Sequence, residues 1–453
     1  MDFHTNYKVK LTSALSEFMV IYFAESSVII IQNLLLNGNL FAAEQQFVSI
    51  FTCFRDEAFC LFLQQMFAEK AFRKQVQIQA QSLGLSKLNT RKTSLCTSSG
   101  NRISFKFWYA ERAGKDYDGE RNLFHLYFKT VHKSSPLHTS QVCSTAVICP
   151  SYEVSATLMT EMCIPTTDDW QRDVTQDFGA KCLPNRAKLQ LKPGETLANK
   201  RVLIAIDGGR CRLREYNGTT NEGKTHECFD TPWCEPKLLV ISTLDKNGIA
   251  NKIDLPLYDA AFGDDETFEL LKEYLLALHI HKAAHVQFTG DGAPWIWNRA
   301  RPFLENLGVA PDKITETLDY YHAAEHLETV IEYIPPALQA KYKPIFKALL
   351  WQGDIDAMKT HLKIIFPDLE DKPLKPFMYF EKNACRMKYA IYRKRKLVCG
   401  SGIIESGIRR IINLRFKCPS AFWIKDKLQS VIFLRAVFLA GRWPYLQNNF
   451  YNP

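Results

Sequence analysis

Three carboxylates in this 453-residue chain stand where metal ligands would be useful. Asp207 closes the apolar run 201–206 and is followed by Gly208-Gly209. Asp291 lies in Thr289-Gly290-Asp291-Gly292, after the apolar run 286–289. Glu405 follows Gly400-Ser401-Gly402. The steps between them are 84 and 114 residues. Carboxylates at strand ends converge on one edge of a sheet, and the glycines would let a bulky ligand approach the backbone. Mg²⁺ (or Mn²⁺) takes oxygen ligands, typically one or two carboxylates plus phosphate oxygens. Two such ions about 4 Å apart activate water and stabilise a phosphodiester's leaving oxygen. One Asp-Gly pair is ordinarily a turn. Two at the ends of apolar strands, with a glutamate in a basic helix, point more sharply to phosphodiester chemistry.

The neighbouring residues suit a polyanion. The chain carries a net charge of +9. Ten Lys or Arg lie between positions 386 and 417, with one acid, Glu405. Arg210, Arg212 and Arg214 alternate after Asp207 and share one face if the strand continues. Arg409, Arg410, Arg415 and Lys417 form a second basic run. Such side chains hold a nucleic-acid backbone without reading its sequence. The blander alternative is a solvated helix face, with Glu405 and Arg409 only an i,i+4 pair. Trp295 and Trp297 are core residues in the favoured reading, base-stacking residues in the other. Glu235 is either an accessory carboxylate or the ion-pair partner of Lys237. Asp319 either joins the site or caps the helix holding His322, and as a cap it would be replaced by Asn at little cost.

The elements that must position these residues follow from periodicity. Residues 41–84 read as helix, with Phe47, Phe51, Phe54, Phe59, Phe62 and Phe67 at near-helical spacing. Ser99-Gly100-Asn101 turns a hairpin within 94–109, in which Ile103, Phe105 and Phe107 alternate with polar residues. Short helices in 139–182, one capped by Ser151, are compatible with a helix-turn-helix DNA reader. Strands are expected at 201–206, 237–242, 249–255, 286–289 and 314–318, with a helix at 267–278. Three antiparallel strands, a helix, a strand, a helix and a strand is the ribonuclease-H-like order. The expected fold is multidomain α/β. An N-terminal helical region, 1–90, precedes a hairpin and helix-turn-helix region, 91–195. The first part of the sheet core is 196–333, a helical insertion before the glutamate is 334–398, and the C-terminal part carrying Glu405 is 399–453.

The blocks Ile206-Asp207-Gly208-Gly209-Arg210, Trp233-Cys234-Glu235-Pro236-Lys237 and Gly290-Asp291-Gly292-Ala293-Pro294-Trp295-Ile296-Trp297 come in this order. Leu318-Asp319-Tyr320-Tyr321-His322-Ala323 and Gly400-Ser401-Gly402-Ile403-Ile404-Glu405-Ser406 follow, then the Arg-rich segment to Lys417. Together, over about 190–445, they resemble the D-D-E transposases of bacterial insertion sequences. Asp319 and His322, as D-x-x-H, look like the motif of the Mutator-like and hAT branches. The resemblance implies Asp207, Asp291 and Glu405 as catalytic metal ligands, and a site role for His322 close to DNA or a water. It implies cleavage of transposon ends and joining of the 3′-hydroxyl to target DNA. Double-stranded DNA is then the partner, bound by a homodimer or higher oligomer. The first 190 residues match only loosely, without the zinc-binding cysteine pairs some transposases carry.

Composition bounds the alternatives. With 46% apolar and 23% charged residues the chain is neither disordered nor fibrous. Its 13 cysteines form no C-x-x-C pair, which suggests reduced thiols in a cytoplasmic compartment; the resemblance implies a bacterial, nucleoid-associated protein. No secretory signal is visible, and the apolar stretch 18–36 is interrupted by Glu25, Gln32 and Asn33, so no membrane partner is expected. Against an active transposase stand a transposase-derived DNA binder without catalysis and a ribonuclease-H-fold DNA nuclease.

Overall fold

The computed structural model describes residues 16, 20, 27–34 and 38–452, except 116, 221–226, 252–253, 368–373 and 420. Most of 18–36 therefore lies outside the described residues. The chain divides into two compact units, 1–178 and 179–453. Among the described residues no helix is long and apolar enough to cross a membrane.

In the first unit the long helical reading splits in two. Helix α1 (Leu40–Ala68) and helix α2 (Lys70–Ser82) are separated by Glu69, whose backbone is extended at φ −72°, ψ 124°. Asn39 caps α1, its side chain accepting the Ala42 N–H. Strands β1 (Ser86–Cys96) and β2 (Arg102–Arg112) pair antiparallel. The alternation works as expected: Ile103, Phe105 and Phe107 are buried, while Arg102, Ser104 and Lys106 are exposed. Phe67 of α1 closes on Phe107 at 4.4 Å between ring centroids. Asp56 of α1, also buried, accepts hydrogen bonds from Thr97, Ser99 and Asn101, and so ties the hairpin turn to the helix. Helices α3 (Pro136–Ile148), α4 (Tyr152–Glu161) and α5 (Asp168–Cys182) come later. Ser135 and Ser151 cap the first two through their hydroxyls.

The second unit is built on a five-stranded mixed sheet. Its strands are β3 (Arg201–Gly208), β4 (Pro236–Leu244), β5 (Leu257–Phe262), β6 (His285–Gly290) and β7 (Ile314–Leu318). The spatial order is β7-β6-β3-β4-β5. Strands β3, β6 and β7 run parallel, whereas β4 pairs antiparallel with both β3 and β5. Continuous apolar runs such as Val202–Ile206 suit a sheet covered on both faces. The third strand lies later than the expected 249–255. Ala250 makes one bridge to Leu244, and 252–253 lie outside the described residues. Proline has no N–H for a ladder, and regular pairing with β4 starts just after Pro256, with Leu257 opposite Ile241.

Helix α6 (Asp264–Ala277) has three acids in its first turn, which favours that end of the helix dipole. After β7 come α7 (Tyr320–Glu332), α8 (Pro336–Gln352) and α9 (Ile355–Ile365). Gly353, at φ 79°, terminates α8 in the left-handed conformation that glycine adopts without a Cβ penalty. Phe346, Phe380 and Tyr389 of this helical region join Ile204, Phe288 and Leu318 of the sheet in one core. Helix α10 (Gly402–Gly407) continues into a π-helical turn, Ile408–Asn413, and packs on β3 and β4. Helix α11 (Lys425–Leu439) packs on β5.

Candidate functional site

Strands β3 and β6 bring the two aspartates to one edge of the sheet. Their parallel register pairs Thr289 with Ala205. Asp207 is the penultimate residue of β3 and Asp291 directly follows β6, so both stand at this edge. The electrostatics agree. The Asp207 carboxyl is pushed up to about 6, first by burial, against the pull of the Gly208 N–H. The negative charges of Asp291 and Glu235 push it further, and His322 draws it down. Each aspartate is also held locally. Asp207 Oδ1 accepts the Gly208 N–H at 2.7 Å, and Asp291 Oδ1 accepts the Ala293 N–H at 2.9 Å.

Glu235 is the ion-pair partner of Lys237, at 2.7 Å, and its side chain also reaches over Gly208. A Cβ at Gly208 would meet the Glu235 carboxylate. The same holds along the site. A Cβ at Gly209 would come within 2.6 Å of Ile412, one at Gly292 would strike the Tyr379 ring, and one at Gly400 would meet Tyr321 at 2.9 Å. At these glycines, neighbouring side chains of the protein come close to the backbone. Gly402, by contrast, faces open space.

Asp319 is fully buried and caps α7, accepting the Tyr321 and His322 N–H groups on Oδ1. Its Oδ2 accepts the Ser401 N–H. Ser401 in turn donates its hydroxyl to Glu405 Oε1 at 2.9 Å. Glu405 is exposed, and among the described residues it forms no ion pair with Arg409. Among the described residues no three His, Cys, Asp or Glu side chains stand together as a metal-binding group. The structure thus pairs Asp207 with Asp291 and turns Glu405 toward Ser401. The donor set of that pair, hard carboxylate oxygens at a partly buried edge, suits a cation such as Mg²⁺ that completes its shell with water and phosphate. A positive charge held there would offset the burial, and the lesser charge of Asp291, that raise Asp207.

His322, half-buried in the first turn of α7, has Nδ1 3.8 Å from Glu325 Oε2. Two neighbours escaped the sequence reading. His326 lies one turn beyond His322 and stacks on Tyr379, 3.8 Å between ring centroids; burial first, then His322, lowers its pKa. Tyr379 comes from the helical region and lies against Gly292, with its phenol raised by burial and by the charges of Asp291 and Asp319. Its hydroxyl is buried with no hydrogen-bond partner among the described residues. The i,i+4 spacing of His322 and His326 was a usable signal for the first. Nothing local to Tyr379 marks the second.

The basic residues divide. Arg210 and Arg212 are exposed and alternate with buried Cys211 and Leu213, as expected. Arg409, Arg410 and Lys417 are not buried and can reach solvent. Arg415, however, is 3% exposed, with its guanidinium over the Trp423 ring, so it does not extend the basic surface. Trp297 is buried in the core, and Trp295 packs at its margin with the Lys237 ammonium 4.8 Å from its ring.

No family model and no curated protein sequence matches the chain. Among solved structures, a Drosophila P element transposase strand transfer complex aligns with 13% identity over 70% of this chain and 81% of that one, at a TM-score of 0.26. Similarity at that level carries no argument, and the functional reading rests on the residues and the sheet.

Proposed function

We propose that this chain is a DNA transposase of the D-D-E type with a ribonuclease-H-like core. It would cleave phosphodiester bonds at transposon ends and join the freed 3′-hydroxyl to target DNA. The observation that carries the reading is the pairing of Asp207 with Asp291 at the ends of adjacent parallel strands. Three features support it. Numbered along the chain, the sheet order is 5-4-1-2-3, with strand 2 antiparallel to its neighbours. The helices of 334–398 come before the glutamate. Helix α10, which carries Glu405, packs on the strand that carries Asp207.

In this reading Asp207 and Asp291 hold Mg²⁺ or Mn²⁺, and Glu405 joins them on release from Ser401. The bound ions would supply an activated attacking oxygen and charge stabilisation at the leaving oxygen. The remaining roles belong to the protein. His322, whose charge draws the Asp207 pKa down, would hydrogen-bond a water or phosphate oxygen near the aspartates. Arg210, Arg212, Arg409, Arg410 and Lys417 hold the DNA backbone. Asp319 and Ser401 fix the loop that orients Glu405. Binding of two transposon ends calls for a homodimer or higher oligomer, acting in the nucleoid of a bacterial cytoplasm.

A second reading, a transposase-derived DNA binder without catalysis, is favoured by one observation: Glu405 is engaged by Ser401 and the three carboxylates do not cluster. Strand cleavage of end-containing DNA in Mg²⁺, wild type against Asp207→Asn and Asp291→Asn, separates the two. Loss of cleavage by orders of magnitude with DNA binding retained supports the enzyme. A wild-type protein that binds ends and never cuts them supports the binder.

A further inference from the structure

Directly after Asp207 the chain leaves the sheet as a narrow ribbon. Cys211–Arg212 pairs with Trp233–Cys234, and Glu215–Thr220 pairs with Glu227–Asp230. Beside it lies a cavity of about 320 Å³. Arg212, Trp233, Phe416, Lys417, Pro419 and Phe422 are among its lining residues, and no acidic residue lines it among the described residues. Trp233 is 54% exposed. The Arg212 guanidinium sits 4.9 Å from its ring, and Arg214 repeats the pairing on Phe229 at 4.4 Å. Phe229 continues the apolar track to Phe422, 5.8 Å between centroids.

Aromatic faces interleaved with cations are the chemistry that holds nucleic-acid strands whose bases are unpaired. Each base offers a π-face to stack, and each phosphate a charge to neutralise. A duplex covers its base faces by its own stacking, and a cavity of this volume accepts a single base with its sugar, not a base pair. The ribbon starts four residues after Asp207, and Glu235, which reaches over Gly208, follows Trp233 by two. A strand lying in the cavity would therefore leave directly from the aspartate edge.

We propose that this cavity is a binding site for one unpaired nucleotide of single-stranded DNA, with its base stacked on Trp233 and its phosphate held by Arg212 and Lys417. This rests on the reading of the chain as a DNA-processing enzyme, and it adds that the strand leaving the aspartate edge is unpaired.

The test uses the full chain without divalent cation, so that binding is read apart from cleavage. Fluorescence anisotropy follows a labelled oligothymidylate of about twelve nucleotides and a blunt duplex of the same length. Trp233→Ala is expected to weaken oligothymidylate binding about tenfold, and Trp233→Phe, which keeps a ring, to stay within about threefold of wild type. The duplex should be affected less than the single strand by both. Quenching of intrinsic tryptophan fluorescence by oligothymidylate should shrink in both variants. Equal oligothymidylate affinity in wild type and Trp233→Ala would overturn the proposal. So would displacement by polyglutamate as effective as by oligothymidylate, since that marks mere polyanion binding, or tighter binding of oligouridylate, which would make the ligand RNA. Failure of the catalytic reading shows elsewhere, as undiminished cleavage by Asp207→Asn, and leaves these binding results standing.

Discussion

The Asp319 carboxylate accepts the backbone N–H of Ser401, 82 residues further along the chain, while its other oxygen caps the helix of His322. One buried side chain thus couples the helix start behind His322 to the loop that holds Glu405. Capping alone would make Asp319→Asn mild, because Asn caps about as well as Asp. The second bond changes that expectation. An Asn whose oxygen caps the helix turns an amide N–H₂ toward the Ser401 N–H, leaving buried donors face to face. We expect a loss of about 1–3 kcal/mol in urea unfolding, together with reduced cleavage. A variant as stable as wild type would show that the Ser401 contact is dispensable.

Asp207 makes stability depend on pH in a defined direction. Its folded pKa of about 6 lies above the ordinary value of 3.8, so the folded state holds the proton more tightly than the unfolded chain. Stability from this group is fully present below the ordinary value and is lost as pH rises through the folded one. The loss is of order 3 kcal/mol. Asp207→Asn should therefore melt above wild type at about pH 8, with the gap closing toward about pH 4. Mg²⁺ should raise the wild-type melting temperature at the higher pH and leave Asp207→Asn nearly unmoved. Equal responses of the two proteins to Mg²⁺ would remove Asp207 from the cation site.

Burial separates the arginines of the basic segment. Replacing Arg409 and Arg410 with Ala should weaken duplex binding whatever its sequence. It should also reduce the slope of log affinity against log salt by about two, one per lost phosphate contact. Arg415→Ala should behave differently, lowering the melting temperature by removing a buried side chain packed on Trp423 while the salt slope stays near wild type. An unchanged slope in Arg409→Ala/Arg410→Ala would turn that stripe toward solvent rather than DNA.

Gly292 and Tyr379 should prove coupled. A methyl group at 292 has no room beside the Tyr379 ring, so Gly292→Ala should cost about 1–3 kcal/mol. In a Tyr379→Ala background most of that cost should vanish, giving a clear interaction energy in the double-mutant cycle. Tyr379→Phe removes a hydroxyl that is buried without a partner among the described residues, so it should leave stability unchanged or slightly higher. Additive effects in the cycle would mean that the ring moves aside freely.

Much of this protein is written locally in its sequence. The apolar runs before Asp207 and Asp291 encode two buried strands. The Asp-Gly pairs end them, but that these two strands lie side by side in parallel, and so bring both aspartates to one edge, was decided by the sheet. The hairpin at Ser99-Gly100-Asn101 and the Ser151 cap are legible locally, since turn chemistry and period act over a few residues. Tertiary structure alone decided what fills the space around those carboxylates. Glu235 occupies the face of Gly208, and Tyr379 that of Gly292 from 87 positions away. Ser401 turns Glu405 aside, and Trp423 draws Arg415 out of a basic run that reads as continuous surface. A glycine signals that something must come close, and an arginine that charge is available. Which atoms arrive, and whether the charge reaches solvent, depends on packing between segments too distant in sequence for any local pattern to record.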